Sequence, residues 1–393
     1  MEVIQNITSI FTADLLKSSY ESSVTSNASN AVVAPYFLLP IVVLAYIATQ
    51  NLDSIDDFKD SSRNLVLLET LTNHNLQFTY ASYTEKLSES VKIMNKMFVN
   101  DTNVLRYDVS DAARRMAMNF EYYDMTWRYL LKTEIENYAK SHGFEMKVTF
   151  DKLINQQIIL THGAQFKGEW EFPFDNKYVN FMRFWTEEFH YTLVEAMHFE
   201  AKFPYAEYCN LRIVAIPYKK DQNKLSLMIV LPNNHRELRN LVNYLNDYQN
   251  KILKTEFRME NVFIDVPIFV LEKNASLSDV TKRMKLGRLF DGNQALTFGE
   301  PVSFANAPSR VTVIANATVT CEAKVKAHCP PETERKIYFK VNRPFLFYIL
   351  DMETRIPLFS GLVRNLGDMK KFNNENEFKN DKYYENDPRC HEL

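Results

Sequence analysis

Cysteine, histidine, serine and the acidic residues carry most nucleophilic and metal chemistry, and in this chain of 393 residues they fall in no spacing that such chemistry uses. The four cysteines, Cys209, Cys321, Cys329 and Cys390, are too scattered for a disulfide framework or a finger-like metal site. Cys321 and Cys329 cannot bridge if they share one extended strand, because each intervening residue adds roughly 3.3 Å and the total far exceeds disulfide reach. All four are read as free thiols. A Gly-rich phosphate loop, a GxSxG elbow and an HExxH pair are all missing. The sequence therefore names no catalytic residue, no metal ligand and no cofactor. What it offers instead is one long stretch, Val311 to Phe345. Val311, Val313, Ala315, Ala317, Val319, Cys321, Ala323, Val325 and Ala327 share one parity while mostly polar residues hold the other, the mark of a half-buried strand. The rhythm breaks at Pro330-Pro331, passes through Glu332-Thr333-Glu334-Arg335-Lys336 and resumes as a strand at Ile337, which leads to Arg343-Pro344-Phe345. A charged, proline-marked loop thus hangs between two strands.

The elements that must hold such a loop follow from composition and periodicity. With 46% hydrophobic and 24% charged residues the chain is an ordinary globular one with enough apolar surface for a large core, as one mixed domain or as two or three. A net charge of -3 gives no electrostatic footprint for nucleic acid. Ile10 to Lys17 has helical spacing, and SSYESSVTSNASN after it reads as a mobile connection. The uncharged run Ala31 to Gln50 is interrupted by Pro35 and Pro40 and lacks flanking basic residues, so it is read as a buried core helix entered from a strand-like VVAP, with no membrane span. Asp111 to Gly143 reads as helices, with Ile135, Tyr138, Ala139 and His142 on one face and Gly143 as terminator. QQIILTHGAQF, RIVAIPY, LSLMIVLPN and NVFIDVPIFVLE read as strands, and SLSDVTKRMKLGRLFD as a helix capped by Ser276 and closed by Gly287. Helices first and strands later predict an α+β fold with antiparallel sheets. No basic n-region with an apolar h-region opens the chain, so the expected location is cytoplasmic or non-classically secreted. The polar, Asn-rich residues 367–393 are expected to be a disordered tail dispensable to the domain formed by 1–366.

Four stretches, taken together and in order, resemble the serpin (serine protease inhibitor) family. They are Val33-Ala34-Pro35-Tyr36; Phe166-Lys167-Gly168-Glu169-Trp170 with Phe172-Pro173-Phe174-Asp175; Ile216-Pro217-Tyr218 with Leu225-Ser226-Leu227-Met228-Ile229-Val230-Leu231-Pro232; and Asn342-Arg343-Pro344-Phe345-Leu346-Phe347 with Leu358-Phe359-Ser360-Gly361. The resemblance implies a single domain with three mainly antiparallel β-sheets, about nine helices and an exposed reactive-centre loop at Val311 to Lys336. It also implies a monomer that is not an enzyme. Its partner would be a serine or cysteine protease of host or cell, which cuts the loop and stays covalently attached as the loop inserts into the central sheet of a metastable fold. Only 8 glycines and heavy use of Asn, Lys, Tyr and Phe point to an A+T-rich coding genome, and with the resemblance to a poxvirus-like viral member.

The sequence departs from the family's pattern at places that bear on mechanism. Aligned without gaps back from Pro344, the family's hinge, Glu-x-Gly-Thr-x-Ala-x-Ala, falls on Ala317, Thr318, Val319, Thr320, Cys321, Glu322, Ala323 and Lys324, where only Thr320 matches. In that register insertion would bury Thr320, Glu322, Lys324 and Lys326, and each unpaired buried ion costs several kcal/mol. A one-residue slip turns Val319, Cys321, Ala323, Val325 and Ala327 inward instead, because strand side chains alternate strictly. The family's hydrogen-bonded shutter beneath the central sheet falls on Ala34, Phe37, His162 and Ser309. A histidine and a small polar residue have thus exchanged places, which predicts a neutral His162 within reach of Ser309, against the plainer reading of a core histidine bonded to backbone. Trp170 stands where the inserting loop would enter. The family's loop length places the scissile bond at Thr333-Glu334, and Arg335 next to it would suit a trypsin-like protease. A second function stays open on the same residues: a non-inhibitory member that keeps the fold and binds partners through its surface.

Overall fold

The computed structural model describes residues 1–25, 30–49, 69–87, 90–102, 104–145, 147–148, 150, 158–171, 179–187, 190–219, 224–276, 297–298, 304–305, 308–315, 337–367 and 370–371. Its contacts gather into two compact units, Met1–Ser19 with Val33–Phe166 and Glu272–Val313, and Tyr20–Val32 with Lys167–Leu271 and Ile314–Leu393. Among the described residues there are seven helices and sheets of ten, six and two strands. None of those helices is long and apolar enough to cross a membrane.

The first unit is built on the six-stranded sheet. Its order is β11 (Phe269–Ser276), β14 (Pro308–Ala315), β5 (Ile158–Lys167), β2 (Val91–Asn100) and β4 (Asn119–Tyr123), with β13 (Phe304–Ala305) also on β5. β2 and β5 run antiparallel with Asn95 opposite His162, and β4 runs parallel to β2. Helix α5 (Arg128–Ser141) buries Leu131, Ile135 and Ala139, one face at four-residue spacing, in a cluster with Met94 and Phe98 of β2 and Ile159 of β5. Gly143 ends this helix with φ +80°, and the Phe144 N–H donates to the Ala139 carbonyl, which caps the last turn as the sequence predicts. The sequence reading missed β4, which lies between α4 (Tyr107–Arg115) and α5, because Asn119–Tyr123 buries none of its residues fully and shows no apolar alternation.

Helix α1 (Glu2–Thr25) extends well beyond the Lys17 expected from sequence. Ser18 and Ser19 are buried, and small side chains at such positions allow close packing that polarity alone does not reveal. Strand β1 (Ala31–Val33) leads into helix α2 (Pro35–Thr49), the core helix expected. Pro35 stands at its first position, where the missing N–H costs nothing, and Pro40 lies inside it. Tyr36 stacks on Tyr80 of α3 (His74–Lys86), ring centroids 4.7 Å apart, and its hydroxyl donates to the Tyr80 carbonyl. β3 (Val104–Leu105) and β12 (Thr297–Phe298) form the two-stranded sheet. The helix expected after Ser276 lies outside the described residues.

The second unit carries the ten-stranded sheet. Its order is β1, β17 (Pro357–Val363), β16 (Phe345–Asp351), β9 (Leu225–Pro232), β8 (Leu211–Pro217), β7 (His190–Glu207), β10 (Arg258–Pro267) and β15 (Ile337–Lys340), with β6 (Val179–Glu187) and β18 (Lys370–Lys371) also on β7. IPY and LSLMIVLP, neighbours in the sequence, and RPFLF, far along the chain from both, become the adjacent strands β8, β9 and β16. Every residue of β9, β16 and β17 is buried, which explains their continuous apolar runs. Helices α6 (His235–Asn243) and α7 (Leu245–Leu253) complete the unit, and the buried Tyr348 hydroxyl of β16 donates to Gln249 Oε1 of α7 at 2.7 Å. Lys370 and Lys371, beyond the boundary expected at 366, pair with Tyr191 and His190, while 372–393 lie outside the described residues.

Gly361, the last residue of the LFSG motif, shows why that position is glycine. A methyl group there would run into the Phe347 ring and approach the Ala31 carbonyl oxygen to 2.7 Å. Backbone on one side and a packed ring on the other leave no room to yield. Gly361→Ala should destabilise the protein by about 2 kcal/mol or more, measured by denaturant unfolding; a change within about 0.5 kcal/mol would mean that β1 and β17 are held less closely.

Candidate functional site

The site expected from sequence is the loop and the sheet that would receive it. β14 pairs directly with β5, so the strand that leads into the loop is a neighbour of the strand that carries His162. On its far side the chain returns as β15, parallel to β10, with Val262 opposite Ile337 and Asp265 opposite Lys340. Phe339 is fully buried there, and Arg212 donates from Nη1 to the Tyr338 carbonyl at 2.9 Å. The return of the chain is therefore anchored by burial and a charge-assisted bond. The hinge residues Ala317, Thr318, Val319, Thr320, Cys321, Glu322, Ala323 and Lys324 and the candidate bond at Thr333, Glu334 and Arg335 lie outside the described residues.

His162 is fully buried in β5. Burial pushes its pKa down to about 3, so the imidazole is neutral at physiological pH. Its Nδ1 lies 2.6 Å from Oδ1 of Asn95, directly across the strand pair. An amide oxygen only accepts, so the neutral ring donates from Nδ1 and Nε2 becomes a bare acceptor. Nε2 has no partner among the described residues. Ser309 lies in β14, next to β5, with its side chain outside those described. Ala34 and Phe37 are buried where α2 begins, joined by the bond from the Phe37 N–H to the Ala34 carbonyl. Asn95 is the residue that sequence reasoning missed. Its signal was an amide in the middle of the apolar run Ile93-Met94-Asn95-Lys96-Met97-Phe98.

Trp170 and Tyr218, from two separate motifs, are brought together by an isolated antiparallel bridge. The Glu171 N–H donates to the Pro217 carbonyl and the Lys219 N–H to the Glu169 carbonyl, fixing the short ladder on either side. Both rings are buried and stacked, with centroids 4.5 Å apart and planes at 15°. Offset stacking of this kind adds about 0.5–1.5 kcal/mol beyond burial. Trp170 is therefore held against the end of β8 in the second unit.

Comparison with known proteins places these features in a known framework. A family model described as Serpin (serine protease inhibitor) matches residues 6–366. Intracellular coagulation inhibitor 2 of Tachypleus tridentatus is 21% identical over 369 residues, 87% of each chain. A serpin-like protein of Methanosarcina acetivorans is 28% identical over 222 residues, 53% of this chain, and the match spans about half the length of that relative (50%). Among solved structures, maspin superposes with a TM-score of 0.79 at 19% identity, covering 93% of this chain and 99% of that one. Serpin48 of the insect Tenebrio molitor gives a TM-score of 0.74, also at 19% identity, over 93% of this chain and 98% of its own. At such identities the structural likeness establishes the fold.

Proposed function

The chain belongs to the serpin family, and from that premise we propose that it is a protease inhibitor acting as a suicide substrate. A serine or cysteine protease attacks the loop at Thr333-Glu334, its nucleophile takes the Thr333 carbonyl carbon, and the amine of Glu334 leaves. The new loop end then enters the six-stranded sheet between β5 and β14 before the acyl bond is hydrolysed. The observation that supports this reading most is the direct pairing of β14 with β5, joined to an apolar parity unbroken from Val311 in β14 to Ala327. A loop that stayed in solvent would have no physical reason to keep that parity. The names of two relatives point the same way: the Tachypleus coagulation inhibitor and an antitrypsin of Bombyx mori, 28% identical over 226 residues.

A second reading rests on the hinge. Val319, β-branched and stiff, stands where the family uses glycine, and Glu322 and Lys324 stand where it uses alanine. On that reading the protein keeps the fold and acts as an interaction module. Incubation with a panel of serine and cysteine proteases separates the two. Inhibition should give a complex of the combined mass that survives a denaturing gel, whereas loop cleavage by every protease without such a complex would leave the interaction module.

A further inference from the structure

β2 is paired on both sides for only half of its length. β5 runs along it from Val91 to Val99, but β4 joins it only from Lys96 to Asn100. Residues 91–95 therefore have an open outer edge, with which no strand among the described residues pairs. Such an edge presents N–H and C=O groups that a further strand can take up. Beside it lies a cavity of about 680 Å³, within the usual size of ligand pockets. Its wall is made by Phe78 and Ala81 of α3 and by Val91 and Ile93 of the edge itself. The Phe78 ring, 59% exposed, leaves a large apolar surface uncovered at the rim.

Strand geometry sorts what could fill it. Lys92 shares parity with Met94 and Phe98, which pack with α5, while Val91 and Ile93 project to the opposite face of β2. The Lys92 ammonium accordingly lies at the end of α5, 3.3 Å from where a methyl group on Gly143 would stand. It has no acidic partner among the described residues. A lysine on an open edge discourages unselective strand pairing, and an acid at the facing position turns the same charge into a favourable cross-strand contact. Glu85 of α3 also lines the cavity, which disfavours a segment with several acids.

We infer that the open edge of β2 takes a short extended peptide from a partner protein, with apolar side chains at alternate positions against Phe78, Ala81 and Ile93 and a single acidic side chain between them facing Lys92. Every residue of this site belongs to the first unit and none to the loop, so the inference stands apart from the inhibitor reading.

Calorimetric titration of the full-length chain with the capped pentapeptide Thr-Val-Asp-Val-Thr tests it. Binding should saturate below about 1 mM, and replacing the peptide's aspartate by lysine should weaken it at least tenfold. Of the two alternate sets of peptide amide nitrogens, methylation of the set that faces β2 should abolish binding, and methylation of the other should change it less than threefold. Lys92→Met should weaken binding at least fivefold and Ala81→Trp, which fills the cavity, should abolish it. Phe78→Ser, at an exposed position, should weaken it at least threefold and serves if Ala81→Trp fails to fold. Hydrogen exchange should slow within 91–95 on peptide binding and stay unchanged in β16 and β17. No saturable binding, equal affinity for the aspartate and lysine peptides, or equal effects of the two methylated sets would each overturn the assignment. So would unchanged affinity in both Lys92→Met and Phe78→Ser, or equally tight binding of isovalerate, which offers the apolar group and the carboxylate without a backbone. Self-association of the chain that the peptide displaces would assign the edge to a second copy instead and overturn it likewise.

Discussion

Cleavage between Pro331 and Lys336 should raise the melting temperature by about 10 °C. In the slipped register the released segment enters beside β5 with Val319, Cys321, Ala323, Val325 and Ala327 facing inward, and their burial contributes on the order of 5 kcal/mol. Entry breaks the ladder between β5 and β14 but makes two, and the added main-chain bonds largely offset the ordering cost of about 1–2 kcal/mol per residue. In a chain of this length each kcal/mol moves the midpoint by about 2 °C. The ungapped register gives the opposite result, because Glu322, Lys324 and Lys326 would enter the core and cost several kcal/mol per ion. Replacing those three residues together by alanine sharpens the comparison. It should leave the cleaved protein's midpoint nearly unchanged in the slipped register and create the stabilisation in the ungapped one. An unshifted transition in fully cut wild-type protein would remove the inhibitor reading and leave the interaction module.

Acid should weaken the intact protein through His162 in a definite window. The folded pKa is pushed down from 6.5 to about 3. Below pH 6.5 the unfolded chain takes up a proton that the buried imidazole refuses, so stability falls as pH falls, by up to about 1.4 kcal/mol per unit, until the folded group titrates near 3. Its full contribution is present above 6.5. His162→Gln keeps a side-chain amide that can bond Asn95 but has nothing to titrate. Urea unfolding of both proteins at about pH 7 and about pH 4.5 should show wild type losing about 2–3 kcal/mol more than the variant. Carboxylates such as Glu121, whose pKa is lowered first by the bond from Lys96, titrate in both proteins and cancel in the difference. Equal losses would mean that the imidazole is hydrated or already charged in the folded state.

Sequence alone determined the elements whose signals are local. The apolar run closed on all sides became α2, the β-branched runs became β5, β8 and β9, and Gly143 ended α5 where a left-handed residue was needed. The four family motifs were likewise legible, since each is a contiguous string, and they sufficed for the family and for an α+β fold. Tertiary structure decided what depends on residues distant in the chain. Asn95 and His162 are separated by 67 positions, and no periodicity marks either as the other's partner until β2 and β5 pair. The stack of Trp170 on Tyr218 and the crowding at Gly361 arise where separate motifs meet across a sheet. Lys96 gives the sharpest contrast: in the sequence it is one charge beside an amide, Asn95, between the apolar pairs Ile93-Met94 and Met97-Phe98, which by itself reads as a solvent-facing position. Three rings and a carboxylate from β2, β4 and α5 make its burial tolerable, and only the folded chain brings them within 5.3 Å of one ammonium.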